Sequence, residues 1–346
     1  MLGILKDFEG SRKDFIYLFV SYNTGKVFIF LTLFFLFGTK IVQGMNYWDS
    51  TYYVSIAQYG YTSIQTQVFS PIYPFLIRIL DFIMPSGKYW YIVSAILISN
   101  IFGELFVLYL YMKRGFKVAL LVGLFPVFLL FSTIPYSDDI AMLFLAISME
   151  GSDIVIIGFF SMAVATFLNL AYAIPSLMLR LRRWYAFFIP SLVGVVALIL
   201  FWHFDGTPFA YFQIERKYWG VFFGTPLIQG GSIMSSYLHY GIPSIIYLIR
   251  NWVFFIIFFT GTYLLSKSDI PHRFFLTIYC LSIEVPLIFV VGVPEFSIPR
   301  LLLPAFPALF PYAGMVRERR NVFFYAIICT LIACIFAVWQ MKSFFA

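Results

Sequence analysis

Long apolar runs dominate this sequence and decide its fold class. Of its 346 residues 62% are hydrophobic and only 11% are charged, whereas a soluble domain has about 45–50% and about 25%. Inside a lipid bilayer every backbone polar group must be paired within the protein, so only helices or a closed barrel can span it. Runs of this length favour helices, because barrel strands alternate apolar and polar residues over about ten positions. We therefore predict an all-α polytopic membrane protein, with one domain over residues 1–346.

Basic clusters orient the predicted spans, because cytoplasmic loops carry an excess of Lys and Arg. Residues 1–25 are predicted to be cytoplasmic or to form an interfacial helix, and Lys26 leads into a first span at Val27–Ile41. Placing every later basic cluster on the cytoplasmic side gives about 11 transmembrane helices, among them Tyr89–Met112, Val118–Ser132 and Pro299–Met315. The net charge of +7 is explained by these loops and needs no nucleic-acid partner.

Two large loops then lie on the external face, over residues 45–88 and 204–244. The first contains an apolar stretch, Pro71–Met84, that is shorter than the roughly 20 residues of a span. We expect it to form an interfacial or re-entrant helix. Two predicted spans, near residues 140–149 and 171–179, are also short for a full crossing.

Asp49 is the first candidate site residue. It follows the first span and lies among Trp48, Tyr52 and Tyr53 in a loop with few other charges. A carboxylate in such surroundings suits a general base acting on a sugar or lipid hydroxyl. The structural alternative is an aromatic belt at the membrane interface with Asp as a helix cap.

Three further groups on the external face are candidates. Ser137-Asp138-Asp139 begins a predicted helix, where acids stabilise the helix dipole or, alternatively, orient an acceptor or hold a cation. Arg300 suits a phosphate clamp, because its guanidinium makes paired hydrogen bonds, or else reaches lipid head groups. Arg216 and Lys217 share the clamp role or pair with Glu215.

Several signatures are missing from the sequence. It contains no HExxH, CxxC, Walker A or GxGxxG pattern, and its three histidines show no metal spacing. Its three cysteines lie in apolar stretches and are expected to be small core residues. These absences give no support to nucleotide binding or zinc hydrolysis.

The ordered motifs of the chain resemble the PIG-V type of mannosyltransferase, that is, GPI mannosyltransferase 2 and its prokaryotic relatives. The matching stretches share their order along the chain and are Trp48-Asp49-Ser50, Gly60-Tyr61, Ser70-Pro71-Ile72-Tyr73-Pro74 with Arg78, Pro135-Tyr136-Ser137-Asp138, Asp205-Gly206-Thr207-Pro208, Trp219-Gly220 and Arg300-Leu301-Leu302-Leu303-Pro304.

This resemblance implies a GT-C fold with its catalytic carboxylate, Asp49, in the first external loop. It also implies transfer of a hexose, usually mannose, from a polyprenyl- or dolichyl-phosphate donor to a lipid or glycan acceptor, with inversion. A divalent cation, Mg²⁺ or Mn²⁺ on Asp49 and Asp138, is compatible with this scheme but not required. The expected substrate-binding residues are Trp48, Ser50, Tyr52, Tyr73, Arg78, Tyr136, Asp138, Asp139, Arg216, Lys217, Trp219 and Arg300.

A secondary transporter or lipid flippase is the alternative function. Glu104 and Glu284 lie within predicted spans, where ionisable residues usually serve function. Carriers usually show internal repeats and a binding site at the membrane midplane. This chain shows no repeat and collects its ionisable groups at one face, which favours the transferase.

Overall fold

The computed structural model describes residues 12–85, 87, 89–150, 188–220, 222–223, 242–291, 297–314 and 319–345. The predicted short span near residues 171–179 lies outside these ranges. The described residues are helical apart from one pair of two-residue strands, and they divide into two compact units. The prediction of a single domain stays a prediction. The first unit takes in the described residues of Met1–Val54, Leu76–Ala146 and Tyr312–Ala346, and the second those of Ser55–Phe75 and Ile147–Pro311.

The first unit is a bundle of helices around α1. Its elements are α1 (Arg12–Phe37), a 3-10 turn (Gly38–Lys40), α2 (Ile41–Met45), the start of α3 (Asp49–Tyr59), the end of α4 (Ile72–Asp81), α5 (Trp90–Arg114), α6 (Phe116–Gly123), α7 (Pro126–Phe131), α8 (Asp138–Glu150) and α14 (Arg319–Phe345).

The second unit holds the remaining elements. They are the rest of α3 and of α4, a 3-10 turn (Ile64–Val68), α9 (Phe188–Asp205), α10 (Ala210–Trp219), β1 (Phe222–Phe223), α11 (Ile242–Lys267), α12 (Arg273–Phe289), β2 (Val290–Val291), α13 (Ile298–Leu301) and a 3-10 segment (Leu303–Gly314). The two strands pair antiparallel, with Phe222 opposite Val291.

Four described helical stretches are long and apolar enough to cross a membrane: Arg12–Met45, Trp90–Arg114, Ile249–Lys267 and Asn321–Trp339. The expectation of about 11 spans stays a prediction. The first stretch is longer than the predicted span Val27–Ile41, and the cytoplasmic position of residues 1–25 stays a prediction. The helix already begins at Arg12.

Lys26, which directly precedes the predicted first span, lies in the interior of the first unit. Its side chain is almost fully buried, and its Nζ lies 3.4 Å from Oε1 of Glu104 on α5 and 4.3 Å from the centre of the Tyr22 ring. A buried charge is tolerated only when it is paired. Lys26 is therefore a core residue of the first unit.

A close approach brings α5 against α1 and the end of α7. A Cβ added to Gly103 would lie 2.7 Å from Cβ of Ser132 and 2.8 Å from the Tyr22 hydroxyl. The Tyr22 hydroxyl donates a hydrogen bond to Oγ of Ser132, at 2.7 Å. Glycine at position 103 is therefore required by packing.

Proline breaks two of the predicted spans. The sequence predicted one helix over Val118–Ser132, but Phe125 is extended (ψ 126°) and separates α6 from α7, because a residue before proline avoids the helical region. The stretch Pro299–Met315 was also predicted as a span. It forms the short α13 and then a 3-10 segment with prolines inside it.

The apolar stretch of the first loop forms α4, which has two distinct faces. Tyr73 and Ile77, one turn apart, are fully buried, while Phe75, Ile79 and Phe82 are exposed. An exposed apolar face on a short helix is typical of a helix lying in the membrane interface. The helix has the length and amphipathic pattern expected for it.

Candidate functional site

The turn that carries Asp49 is backbone-strained and firmly held. Trp48 has a φ of 53°, in the left-handed region, and a residue with a bulky side chain there costs on the order of 1–3 kcal/mol. The side chain of Ser50, which is fully buried, donates to Oδ1 of Asn46 at 2.9 Å. The Thr51 hydroxyl donates to the Trp48 carbonyl at 2.6 Å. These bonds fix the strained turn.

Asp49 is the first residue of α3 and is half-buried. A negative charge in the first turn is stabilised by the partial positive charge of the helix N-terminus. The pKa of Tyr52, one turn later, is raised mainly by burial and secondly by the charge of Asp49. The structure therefore presents a half-buried carboxylate at a helix N-terminus, close enough to the Tyr52 phenol for its charge to act there.

Two contacts join this turn to the residues before α8. The hydroxyl of Tyr53, four residues after Asp49, shares a 2.7 Å hydrogen bond with Oγ of Ser137. The Tyr136 hydroxyl donates to the carbonyl of Tyr47 at 3.4 Å. Both parts of the site lie within the first unit. The structure thus brings together two motifs that are almost 90 residues apart in sequence.

Ser99 on α5 holds the backbone of Tyr136, just before α8. Its Oγ donates to the carbonyl of Tyr136 at 2.7 Å and accepts from the backbone N–H of Tyr136 at 3.0 Å. Ser99 is fully buried and Tyr136 nearly so. The backbone before α8 is therefore pinned to α5 at one residue.

The two neighbouring acids of α8 have different environments. Asp138 is half-buried, whereas Asp139 is fully buried. Within the described residues, neither carboxylate oxygen of Asp139 has a hydrogen-bond partner. The positive charge of the buried Lys26 acts on Asp139. Asp139 is therefore coupled to a charged residue of the core. Asp138 is the better placed of the two to meet a ligand.

An apolar cleft lies under Tyr47 and Tyr136. Its lining also includes Met45 and Leu130, and its volume of about 10 Å³ holds about one water molecule. It is too small for a sugar. The cleft is therefore a small gap in the apolar packing around Tyr47.

Several predicted residues lie in the second unit. The ring of Trp219, at the end of α10, meets the Phe69 ring edge-on at 6.0 Å. Arg216 and Lys217 on the same helix are exposed, and Tyr73 is fully buried. Arg300 lies in α13 and is half-buried. Arg78, by contrast, lies on the part of α4 that belongs to the first unit, and its side chain is exposed. The roles predicted for all of these residues stay predictions.

No three His, Cys, Asp or Glu side chains in the described part of the chain are grouped as a metal site would need. Asp49 and Asp138 are the carboxylates predicted for a divalent cation, and that role stays a prediction.

Four residues that build the site were not among the predicted site residues: Asn46, Tyr53, Ser99 and Ser137, the last of which was considered only as a helix cap. Tyr53 and Ser137 carried a usable signal, since Tyr53 lies four residues after Asp49 on one helix face and Ser137 directly precedes the paired acids. The role of Ser99 depends on a contact between distant segments, which no local pattern shows.

No protein-family model matches this chain, and no curated protein sequence does. Among solved structures, the chain is similar to the crystal structure of ArnT from Cupriavidus metallidurans bound to undecaprenyl phosphate, with a TM-score of 0.52 at 14% sequence identity. The match covers 89% of this chain and 62% of that one, so the chain spans about three-fifths of the length of ArnT.

At this identity the similarity shows the fold. Over the matched residues the chain shares its fold with ArnT. Together with the long apolar helices, this confirms the predicted all-α fold class and an integral membrane protein.

Proposed function

We propose that this protein is a membrane glycosyltransferase that moves a hexose, mannose by resemblance, from a polyprenyl- or dolichyl-phosphate donor to a hydroxyl of a lipid-linked or glycan acceptor. The observation that carries the proposal is the position of Asp49. It stands at the start of a helix, after a strained turn held by buried hydrogen bonds, in a chain that shares its fold with ArnT. Strain of this kind concentrates at functional sites.

In the proposed reaction the carboxylate of Asp49 accepts the proton of the acceptor hydroxyl. The acceptor oxygen then attacks the anomeric carbon, and the bond from that carbon to the lipid phosphate breaks with its electron pair on the phosphate. One displacement of this kind inverts the anomeric centre. A single base suits it better than the paired carboxylates of glycoside hydrolysis.

The departing lipid phosphate needs charge stabilisation rather than a proton. We assign this role to Arg300, whose planar guanidinium can make two parallel hydrogen bonds to phosphate oxygens. Arg216 and Lys217 are the second choice, since they are exposed on α10. Asp138 would orient the acceptor or help Asp49 hold a divalent cation, and Trp48 and Tyr52 would line the sugar site. The active site is proposed to face the external side, with the N-terminus in the cytoplasm.

The test is transfer of labelled mannose from a polyprenyl-phosphate donor to the lipids and glycans of membranes that contain the protein. Loss of a general base typically costs about 10²- to 10⁴-fold in rate, so Asp49→Asn is expected to lose transfer by this factor. The matched control is Asp269→Asn. The Asp269 side chain is fully exposed, and its ion pair with Arg273, at 3.8 Å, lies on the surface. Equal rates for wild type and Asp49→Asn, or activity with nucleotide sugars alone, would refute the proposal.

Two further arms separate the assigned roles. Arg300→Lys keeps the charge but loses the planar fork, and it is expected to weaken use of the donor. Transfer measured with and without a chelator, followed by Mg²⁺ or Mn²⁺, shows whether a cation takes part.

The transporter alternative rested on Glu104 and Glu284. Glu104 forms an ion pair with the buried Lys26, so its charge already has a structural use. Glu284 is fully buried and accepts a hydrogen bond from Thr262 at 2.5 Å. Proton-dependent uptake by vesicles that is lost in Glu284→Gln would favour this alternative.

A further inference from the structure

The 3-10 segment that follows α13 contains a built-in gap in its hydrogen bonding. In a 3-10 helix the carbonyl of each residue accepts from the N–H three residues later. The carbonyl of Pro304 falls opposite Pro307, which has no N–H to donate. Both residues lie in the buried part of the segment. A buried carbonyl that loses its donor costs free energy unless another group replaces it.

Tyr279 on α12 supplies the replacement. Its hydroxyl donates to the Pro304 carbonyl at 2.9 Å, and its side chain is fully buried. The next residue, Cys280, points its Sγ at the carbonyl of Ala305 at 3.6 Å. Two consecutive residues of α12 therefore contact two consecutive carbonyls of the 3-10 segment.

The helix that carries Tyr279 is itself anchored. One turn beyond Cys280, Oε1 of Glu284 accepts the hydroxyl of Thr262 on α11. Cys280 and Glu284 are fully buried and Thr262 nearly so. Because this anchor fixes α12 against α11, the Tyr279 hydroxyl is held at one position along the 3-10 segment.

The contact lies directly beside Arg300. The backbone N–H of Leu302 donates to the Ile298 carbonyl at 3.0 Å, and that of Ala305 donates to the Leu302 carbonyl at 2.9 Å. These two bonds share Leu302 and connect α13 to the backbone as far as Pro304, before the chain leaves helical geometry at Ala305 (φ −78°, ψ 22°). A shift at the Pro304 carbonyl is therefore passed to the backbone of Arg300.

We propose that Tyr279 is a positioning residue for Arg300, its hydroxyl standing in for the donor that Pro307 lacks. The inference rests on the proposed function only in treating Arg300 as the phosphate-binding residue. It assigns no contact between Tyr279 and substrate.

The experiment tests whether a backbone N–H at position 307 can replace the Tyr279 hydroxyl as the donor to the Pro304 carbonyl. Tyr279→Phe removes the hydroxyl and keeps the ring, whereas Pro307→Ala restores a backbone N–H opposite the Pro304 carbonyl. The double variant should therefore recover what Tyr279→Phe loses. Tyr263→Phe is the matched control, because the Tyr263 ring is 62% exposed on α11.

The readout is binding of undecaprenyl phosphate to the purified protein in detergent, measured as the shift of its thermal unfolding midpoint with ligand concentration. We expect Tyr279→Phe to weaken apparent affinity about five- to tenfold, Pro307→Ala to restore it to within about twofold in the double variant, and Tyr263→Phe to leave it unchanged. Without ligand, the loss of midpoint in Tyr279→Phe should also be smaller when Pro307→Ala is present.

Arg300→Ala separates the two ways in which the test can fail. If Arg300→Ala leaves binding unchanged, the phosphate-clamp role in the proposed function is wrong. If Arg300→Ala weakens binding but Tyr279→Phe does not, or if Pro307→Ala fails to restore binding to the double variant, the positioning role of Tyr279 is refuted while the clamp stands.

Discussion

The hydrogen bond between Tyr53 and Ser137 gives a sharp test of how the site is built. Tyr53 lies one turn after Asp49 on α3, and its hydroxyl is 2.7 Å from Oγ of Ser137. Both side chains are only 7% exposed. Removing one hydroxyl leaves the other buried and lacking this partner, which costs about 1–3 kcal/mol.

The double-mutant cycle isolates this bond. Tyr53→Phe and Ser137→Ala should each lower the free energy of unfolding by that amount, and the double variant should lose about 1 kcal/mol less than the sum. The assay is unfolding of the purified protein in mixed micelles by added SDS, followed by tryptophan fluorescence. Since a displacement of about 1 Å at a reacting group costs on the order of 10²-fold in rate, the proposed transfer rate should fall in each single variant.

The control lies on the same helix. Tyr59 is 72% exposed on α3, so Tyr59→Phe should change neither stability nor transfer. The reasoning fails if Tyr53→Phe is as silent as Tyr59→Phe, or if the two single changes simply add in the double variant.

Three other predictions follow from the described residues. Lys26→Met removes the buried cation beside Glu104 and should cost about 1–3 kcal/mol of stability, because the partly exposed Glu104 loses its charged partner; SDS unfolding checks this, and an unchanged midpoint relative to the exposed Lys13→Met would contradict it. If α4 lies in the interface, oxygen, which concentrates in lipid, should speed the relaxation of a spin label attached at Phe82→Cys. A label at Thr62→Cys should instead respond to a water-soluble relaxation agent, and the reverse pattern would show that α4 does not lie in the interface. The phenol of Tyr52 should ionise above the usual pH of a tyrosine, and Asp49→Asn should lower that pKa because it removes the negative charge that helps raise it; ultraviolet difference titration against Tyr52→Phe measures both, and an unmoved titration would contradict the contact.

How far the sequence predicted the fold depends on whether the deciding interaction was local. The ends of α5 were within two residues of those expected, because Gly115 (φ 83°) and the basic pair before it mark the C-terminus. The amphipathic α4 and the start of α3 near Asp49 were also local features. Each of these features depends on the spacing or the type of neighbouring residues.

The failures have a common cause. The burial of Lys26 was missed because its partner, Glu104, is 78 residues away. The breaks at Phe125 and after Arg300 were missed because hydropathy averages over a proline that interrupts the helical hydrogen bonds. In the candidate site, Asp49 was predicted from its surroundings, whereas the supports at Ser99 and Ser137 come from contacts across 37 and 84 residues.

The division of α6 from α7 at Pro126 has a consequence for how the protein is made. At 1.5 Å per residue, the eight residues of α6 extend about 12 Å and the six of α7 about 9 Å, against a hydrocarbon layer of about 30 Å. Neither helix can enter the bilayer as an independent unit during synthesis. Their packing partners include α14, whose Tyr325 donates to the Leu121 carbonyl across 204 residues of chain at 2.7 Å. The first unit therefore stays incomplete until α14 has been translated, and α6 and α7 gain this packing partner only then.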